Sequence, residues 1–513
     1  MHKILIANRG EIAVRVVRAC RDLGLGAVAV FSECDRGARH VRMADEAVAL
    51  GGNAPADSYL RIDRILHAAH VTGADAVHPG YGFLSENAEF ARACRDAGLT
   101  FIGPTPEAVA RVGSKTTARQ IAAAAGVPVV TGTELPFGPD APVDDLAHAA
   151  ARIGYPVLIK AVAGGGGKGM RVVASPEELE GAIRLARSEA ATAFGDSSVY
   201  LERYLQRPRH VEIQILADHH GNIRPFVERE CSIQRRHQKV IEESPSPAVG
   251  AALRTRLADA AVAVAVKAEY TNAGTVEFLL DEEGQFYFLE VNARLQVEHP
   301  VTEMVAGVDL VQWQIRIARG ERLTLSPVDT LTPTGHAIEC RVYAEDADMG
   351  FLPSPGHVSA LRAPNGPGVR DDGWVEQGTD VPIYYDSLLS KVIVWGQDRA
   401  QATARMRRAL MEYEIGGVRS TLPFSRWLLA RPEFVEARFH TGFLDGLLQQ
   451  RAGEPFEDVD SSLKEVAAVA ACVVEASISA KATVASPARV PDESDESLES
   501  SWKARARKES LRS

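Results

Sequence analysis

The chain has 513 residues, with 57 Lys and Arg against 68 Asp and Glu for a net charge of −11, a balance that excludes a surface built to coat nucleic acid. A chain of this length holds about three domains of ordinary size, and 6% aromatic with 24% charged residues exclude a disordered or fibrous protein. No apolar run approaches the ~20 residues of a membrane span, the six cysteines form no CxxC, and MHKILIANRG carries no signal-peptide apolar core, so the cytoplasm is the expected location.

Taken in order, Lys3 to Ala7 (KILIA) reads as a short buried strand, and Glu11 to Leu23 has apolar residues at helical spacing, closed by Gly24 and Gly26. Ala27 to Phe31 is the next strand. The alternation continues through ADAVHPGYGFLSEN and LTFIGP, so residues 1–113 are expected to form a doubly wound α/β unit. NRGEIA is on this reading a strand-to-helix turn, with a nucleotide role an even choice. Residues 114–131 link this unit to the next. Within the link, Lys115 lies in GSKTTAR ahead of an alanine-rich helix, Gln120 to Ala125. A cation there opposes the helix dipole, a hint of an anionic partner set against the commoner solvated lysine.

Residues 132–202 contain YPVLIKAVAGGGGKGM, Tyr155 to Met170. Tyr155 to Val162 is a strand interrupted only by Lys160, which should be held rigidly. Gly164, Gly165, Gly166 and Gly167 lack Cβ atoms, so their N–H groups can wrap an anionic group such as phosphate. A P-loop is excluded because position 162 is Val and Lys168 is followed by Gly169. The GxGxxG spacing of Gly164, Gly166 and Gly169 is followed by MRVVAS, a strand rather than a helix, which excludes a dinucleotide fingerprint. The stretch therefore reads as a hairpin flap over a nucleotide, with a floppy surface hairpin as the alternative. SPEELEGAI then starts a helix over Pro176 to Ala190, with Ser at the N-cap.

The largest unit, residues 203–450, opens with His210 in RPRHVEIQIL, which reads somewhat more readily as a satisfied structural histidine than as a functional one. Within ECSIQRRHQKVIEE, the polar run Gln234 to Lys239 would, if extended, turn Gln234, Arg236 and Gln238 one way and Arg235, His237 and Lys239 the other. Such a segment is an anion-facing strand or a solvated edge. After the helix Gly250 to Tyr270, TVEFLLDEEGQFYFLEVNARLQVEH folds as a hairpin, with Glu277 and Glu290 interrupting its apolar runs. Two buried carboxylates repel unless a cation lies between them. Mg²⁺ prefers such oxygen ligands, and Asn292 shares the face of Glu290; lysine partners are the alternative. Arg294, Gln296 and Glu298 alternate beyond, placing a cation, an amide and a candidate base together. Arg341, in IECRVYAE, is another charge amid strand-like residues. No HExxH, GxSxG or Cys/His zinc spacing occurs.

Residues 451–513 change character. An alanine- and valine-rich segment, Lys464 to Ala482, reads as a helix, SPARVPDESDESLES as a disordered linker, and WKARARKESLRS as a short basic segment.

Together these stretches resemble the ATP-grasp superfamily and, within it, the biotin carboxylase family, the ATP-dependent component of acetyl-CoA and related acyl-CoA carboxylases. The matching runs are KILIANRGEIAVRV, HPGYGFLSEN, FIGP, GSK, GGGGKGM, CSIQRRHQK, EF, EVNARLQVEHPVTE, ECRVYAED and FLPSPG, which carry the resemblance from residue 1 to about 446. It implies a three-domain ATP-grasp architecture of the α/β class: a doubly wound N-terminal domain, a mobile glycine-loop lid domain and a mixed α+β C-terminal catalytic domain. It further implies that Lys115, Lys160 and the loop Gly164 to Gly167 contact ATP phosphates, and that Glu202, Arg203, Tyr204 and Leu205 form the hinge that meets adenine. His210, Gln234 and His237 would add nucleotide contacts. Glu277, Glu290 and Asn292 would hold Mg²⁺ or Mn²⁺ beside ATP. Lys239, Arg294, Gln296 and Val297 would form the bicarbonate site, Glu298 would be the general base, and Arg341 would face the ureido oxygen of biotin.

The implied reaction is ATP- and bicarbonate-dependent carboxylation of biotin N1′ through carboxyphosphate. Relatives that carry their own biotin do so at a Met-Lys-Met site. None occurs here, so biotin is expected on a separate biotin carboxyl carrier protein, with carboxyltransferase subunits as further partners. A homodimer, no contact with nucleic acid or membrane, and a place in fatty acid biosynthesis are also implied. Two other readings are another ATP-grasp carboxylate–amine ligase and a catalytically silent scaffold, the latter opposed by the presence of every expected charged residue. Which acyl-CoA is carboxylated would be set by the carboxyltransferase.

Overall fold

The apolar run Lys3–Ile6 becomes the central strand of a five-stranded parallel sheet, in the order Glu46–Ala49, Gly26–Phe31, Lys3–Ile6, Ala76–His78, Thr100–Phe101. This is seen in a computed structural model that describes residues 1–133, 135–162, 170–451, 453–457, 465–474 and 476. The glycine loop Gly164 to Gly167 lies outside the described residues. Helix Gly10–Asp22 buries Ile12, Val16 and Val17 against the sheet. The strand order reverses at Lys3–Ile6, so the loops at its carboxyl end open on a crevice. Asn8 ties that end together, donating to the carbonyls of Pro79 at 2.7 Å and Tyr81 at 2.8 Å.

Residues 143–203 form a small layer of their own. A three-stranded antiparallel sheet, Met170–Val173, Val157–Ala161, Val199–Arg203, is covered by helices Val143–Ile153 and Pro176–Phe194. Val157, Ile159 and Leu201 face these helices in one core with Leu146, Leu179 and Ile183. Strand alternation then turns Lys160 to the opposite face. Ser175 stands at the N-cap of Pro176–Phe194, but its hydroxyl makes no cap hydrogen bond; Glu178 accepts instead from Ala174 N–H at 3.0 Å.

The rest is organised by a nine-stranded sheet whose main path runs Phe286–Asn292, Asn272–Leu280, Arg209–Ala217, Arg229–Arg235, Gln238–Ser244, His336–Tyr343, Leu388–Gly396, Val369–Gly373. The run Gln234 to Lys239 differs from a single extended segment. It is a hairpin in which Arg236 (φ 48°) and His237 (φ 66°) take the left-handed conformation, with Gln234 opposite Lys239. Two residues at positive φ match the right-handed twist of the strands they join, and the run sits inside the sheet rather than at its edge. Helix His299–Ala306 packs on one face with Ala337 and Ile393, and helix Arg399–Glu412 on the other with Ile338, Val392 and Val394.

A separate core joins Asn272–Leu280 to helix Ala251–Lys267, with Phe278 fully buried edge-on to Phe286 at 5.4 Å between centroids. Phe278→Ala should lower unfolding stability by about 3–5 kcal/mol through lost burial and the cavity left behind, read as a lower urea midpoint at unchanged slope.

The compact unit runs from Met1 to Phe456. Phe456 is buried against Phe424 and Trp427, each at 5.3 Å, so packing continues past the expected boundary at 450. Residues 457–513 form a second unit, in which residues 465–474 are helical and exposed.

Candidate functional site

Antiparallel register puts directly paired residues on one face of the sheet. Here it aligns Glu212 with Glu277, Glu277 with Glu290, and Thr275 with Asn292. A row of carboxylates therefore crosses three strands. Lys239, brought to the same face by the Arg236–His237 turn, donates to Glu212 at 2.6 Å, Glu277 at 3.0 Å and Glu298 at 2.6 Å. Burial works against its ammonium, but the carboxylates win and raise its pKa well above the ordinary value.

Glu298 is fully buried. The strand expected to reach it ends at Asn292, and residues 293–298 turn into helix His299–Ala306 with Glu298 at the N-cap. Pro300, in the first turn, has no N–H to waste there. Glu298 accepts from Lys239 on Oε1 and from Arg341 at 3.0 Å on Oε2, and Arg341 also donates through Nε to Glu242 at 2.6 Å. Burial alone would raise the Glu298 carboxyl. Lys239, Arg341 and Arg229 outweigh it and hold that carboxyl well below the usual range, and the helix N-terminus acts in the same direction. The Glu242 carboxyl, by contrast, is pushed up to about 7, first by burial, which Arg341 only partly offsets.

Glu277 and Glu290 stand opposite each other yet titrate differently. For Glu277 burial is overcome by Lys239 and His210, and its carboxyl is lowered. For Glu290 burial and the charge of Glu277 act together, and its carboxyl is raised. Asn292 donates to Glu277 at 2.9 Å. Two carboxylates and an amide oxygen are a hard donor set suited to Mg²⁺, and a bound cation would offset the repulsion by Glu277 that helps raise the Glu290 carboxyl. His210, Glu212 and Glu277 also bring ligand atoms within 4.8 Å of one another, but Lys239 and Arg229 already neutralise that cluster.

At the rim, Arg294 donates to Glu86 at 3.0 Å, Gln296 at 2.8 Å and Asn292 at 3.2 Å. Gln296 in turn donates to Glu277 at 3.0 Å. His210 is buried, its Nε2 3.1 Å from Glu277 and its Nδ1 2.9 Å from Gln234; Glu277 raises its pKa against the effect of burial. The site thus assigns it a charged neighbourhood rather than an apolar one.

Across from this floor, Lys160 pairs with Glu202, which also receives Arg119. Arg203 and Tyr204 are pinned by backbone bonds to Thr131 at 2.7 Å and Pro156 at 2.9 Å. Lys115 is the first residue of helix Lys115–Ala124, behind the N-cap Ser114. Lys115, Lys160, Glu202, Arg203, Tyr204, Leu205, His210, Gln234 and His237 line one cavity of about 1200 Å³ with Lys239, Glu277, Glu290, Asn292, Arg294, Gln296, Val297 and Arg341. That volume exceeds an ordinary small-ligand pocket. Glu298 lies behind its wall.

Sequence reasoning missed Glu212, Arg229, Glu242 and Glu86. Arg229 has no exposure, yet is met by Glu212 at 2.5 Å, Gln214 at 3.0 Å, Thr302 at 2.9 Å and Thr275 at 3.0 Å. Glu212 in HVEIQIL shows the signal used for Lys160, a lone charge inside an apolar strand; Arg229, between Glu228 and Glu230, and Glu242, beside Glu243, sit in charged runs and do not.

Residues 114–326 match the family described as carbamoyl-phosphate synthase L chain, ATP binding domain, so the cavity belongs to an ATP-grasp enzyme. Residues 1–109 and 339–446 match the N-terminal and C-terminal domains of biotin carboxylase. The chain is 53% identical over 442 residues to the biotin carboxylase of a Nostoc species, covering 86% of this chain and 98% of that one. Its fold is similar to the Campylobacter jejuni biotin carboxylase complex with β,γ-ATP, at TM-score 0.83 and 44% identity over 86% of this chain and 98% of the other. It is equally similar, at TM-score 0.83 and 44% identity over 89% and 99%, to the dimeric biotin carboxylase domain of Hydrogenobacter thermophilus 2-oxoglutarate carboxylase with MgADP and bicarbonate. The chain belongs to the biotin carboxylase family.

Proposed function

We propose that the two sides of this cavity divide one reaction between them: the lid and hinge hold ATP, while the floor aligns bicarbonate and then biotin. What supports this reading most is Glu298, a buried carboxylate clasped by Lys239 and Arg341 immediately behind Arg294, Gln296 and Val297. Lys115, Lys160 and the glycine loop Gly164 to Gly167 would neutralise the phosphates, with Glu202 to Leu205 against adenine and His210, Gln234 and His237 completing the nucleotide site. Glu277, Glu290 and Asn292 would hold Mg²⁺ or Mn²⁺, which when bound supplies charge stabilisation at the phosphoryl oxygens.

Bicarbonate is a poor nucleophile and ATP a repelling polyanion, so fixed cations must align them. Lys239 and Arg294 supply charge, and Gln296 and the Val297 backbone orient the carboxyl group. Phosphoryl transfer to a bicarbonate oxygen forms carboxyphosphate and ADP, and its breakdown gives CO₂ and phosphate. Glu298 then acts as base while N1′ of biotin attacks CO₂, and Arg341 faces the negative charge that develops on the ureido oxygen. In the free protein Lys239 and Arg341 hold the Glu298 carboxyl well below the usual carboxylate range. Anions that draw off Lys239 and Arg341 raise its pKa when the reactants are in place.

Biotin is carried by a separate biotinyl protein, with carboxyltransferase subunits completing an acyl-CoA carboxylase such as that of fatty acid biosynthesis. A homodimer is supported by the dimeric H. thermophilus domain. Among the described residues no helix is long and apolar enough to cross a membrane, and the cysteines are unpaired; a cytoplasmic enzyme accords with both. The test is fixation of ¹⁴C-bicarbonate on free biotin with Mg-ATP. Fixation should require all three reactants, and ATP hydrolysis stimulated by amines or amino acids but not by biotin would replace this reading with a carboxylate–amine ligase.

A further inference from the structure

Lys391 interrupts the apolar strand Leu388–Gly396 and has no exposed surface. An ammonium in such a place must be paired and hydrogen-bonded. Its strand partner across the ladder is Arg341, so the two cations stand side by side beneath residues 296–298. Arg341 takes the side chain of Glu298, while Lys391 donates to the backbone carbonyl of Val297 at 2.8 Å. On its other side Lys391 meets Glu11 at 3.0 Å, and the Tyr81 hydroxyl donates to that same carboxylate. Glu11 lies in the first turn of helix Gly10–Asp22 and Tyr81 in the loop after strand Ala76–His78, so both stand at the carboxyl ends of the N-terminal sheet's strands.

We propose that Tyr81, Glu11 and Lys391 form a buried strut through which the N-terminal sheet positions the Gln296–Glu298 turn, so that Lys391 is a positioning residue for bicarbonate and for the base. This rests on the functional reading above. The turn makes no ladder bonds of its own, since the strand stops at Asn292, and the carbonyl of Val297, which is part-buried, would otherwise be left to find water. Lys391 fixes it from below. Gln296 and Val297 line the cavity, and holding the turn in this way sets the direction from which Glu298 enters.

The competing role for Lys391 is charge balance alone, a counter-ion for Glu11. The two roles separate in a double variant. Lys391→Met keeps the stem and leaves Glu11 able to neutralise itself, its carboxyl being pushed up to about 7 by burial even with Lys391 present. Glu11→Gln combined with Lys391→Met removes both charges of that pair, so it should fold even where the single variant does not; Glu339 and Asp372, the other carboxyls Lys391 offsets, lose it equally in both variants. Both should raise the KM for bicarbonate at least about tenfold and lower kcat for biotin carboxylation, with the KM for ATP held within about twofold, because the lid and hinge contacts proposed for ATP lie outside the turn. Recovery of parental bicarbonate KM and kcat in the double variant would overturn the strut, as would an equal rise in both KM values. Glu298→Gln, assayed beside them, keeps the two questions apart: full activity there would sink the base assignment, whereas the bicarbonate KM of the Lys391 variants reports the strut.

Discussion

Glu290→Gln should lower Mg²⁺-dependent ATP turnover by about 10²–10³-fold, because the proposed metal site, whose ion would supply several kcal/mol of charge stabilisation, would lose one carboxylate, and should do so without weakening the fold. The reason lies in the opposite titration of the two facing carboxylates. Glu290 has its pKa raised by burial and by Glu277. A carboxyl raised in the folded state contributes stability below its unfolded pKa and loses it as pH rises through the folded one, so at neutral pH its charge works against folding. Gln removes that charge at equal size, and the metal-free variant should melt no lower than the parent at pH 7. Glu277→Gln should behave differently. The Glu277 carboxyl is lowered, through Lys239 and His210 outweighing burial, and contributes stability above its unfolded pKa that is lost as pH falls. Its removal strips Lys239 and His210 of a shared partner, a loss of about 3–5 kcal/mol for a broken buried pair. Thermal melts without metal, beside ATPase at saturating Mg²⁺, check both. A Glu290→Gln enzyme within a few-fold of parental turnover would remove Glu290 from the metal set.

What could be read before folding was whatever is local in sequence. Lys160, Glu277, Glu290 and Arg341 each break an apolar alternation, and that break marks a charge turned to one face of a strand, which the sheet then displays. The resemblance supplied roles for these residues that alternation could not. The run Gln234 to Lys239 defeated a local reading because Arg236 and His237 take positive φ without being glycine or asparagine. Alternation predicted that Gln234 and Lys239 point apart; the hairpin sets them opposite each other in register. Glu298 was found by spacing but for the wrong reason, as a strand residue when it caps a helix. Lys391 bore the same mark as Lys160, whereas Arg229 and Glu242 stand beside other charges in the sequence. Their partners lie 94, 17 and 99 residues away in the chain, and only the strand order brings them together.

The last prediction follows from the position of Arg341 on that strand order. Its guanidinium is shared between Glu242 and Glu298, whereas Lys239 and Arg294 reach the carboxylate row and the rim. On the proposed reading, bicarbonate attack on ATP would draw on the second pair, while charge on the ureido oxygen, which exists only once biotin reacts, would draw on Arg341. Arg341→Ala should therefore keep much of the slow bicarbonate-dependent ATP hydrolysis measured without biotin and lose biotin carboxylation by about 10²–10³-fold, the usual cost of one oxyanion donor. Arg294→Ala should lose both. Arg341→Ala also leaves Glu242 buried with its carboxyl no longer lowered by the guanidinium. Since burial holds that carboxyl near 7 even with Arg341 present, Glu242 can take up a proton, and the fold should survive at neutral pH with its stability falling as pH rises. The paired assays are ATPase without biotin and ¹⁴C-bicarbonate fixation on free biotin. Equal losses in the two would move Arg341 from the biotin step to the binding of ATP or bicarbonate.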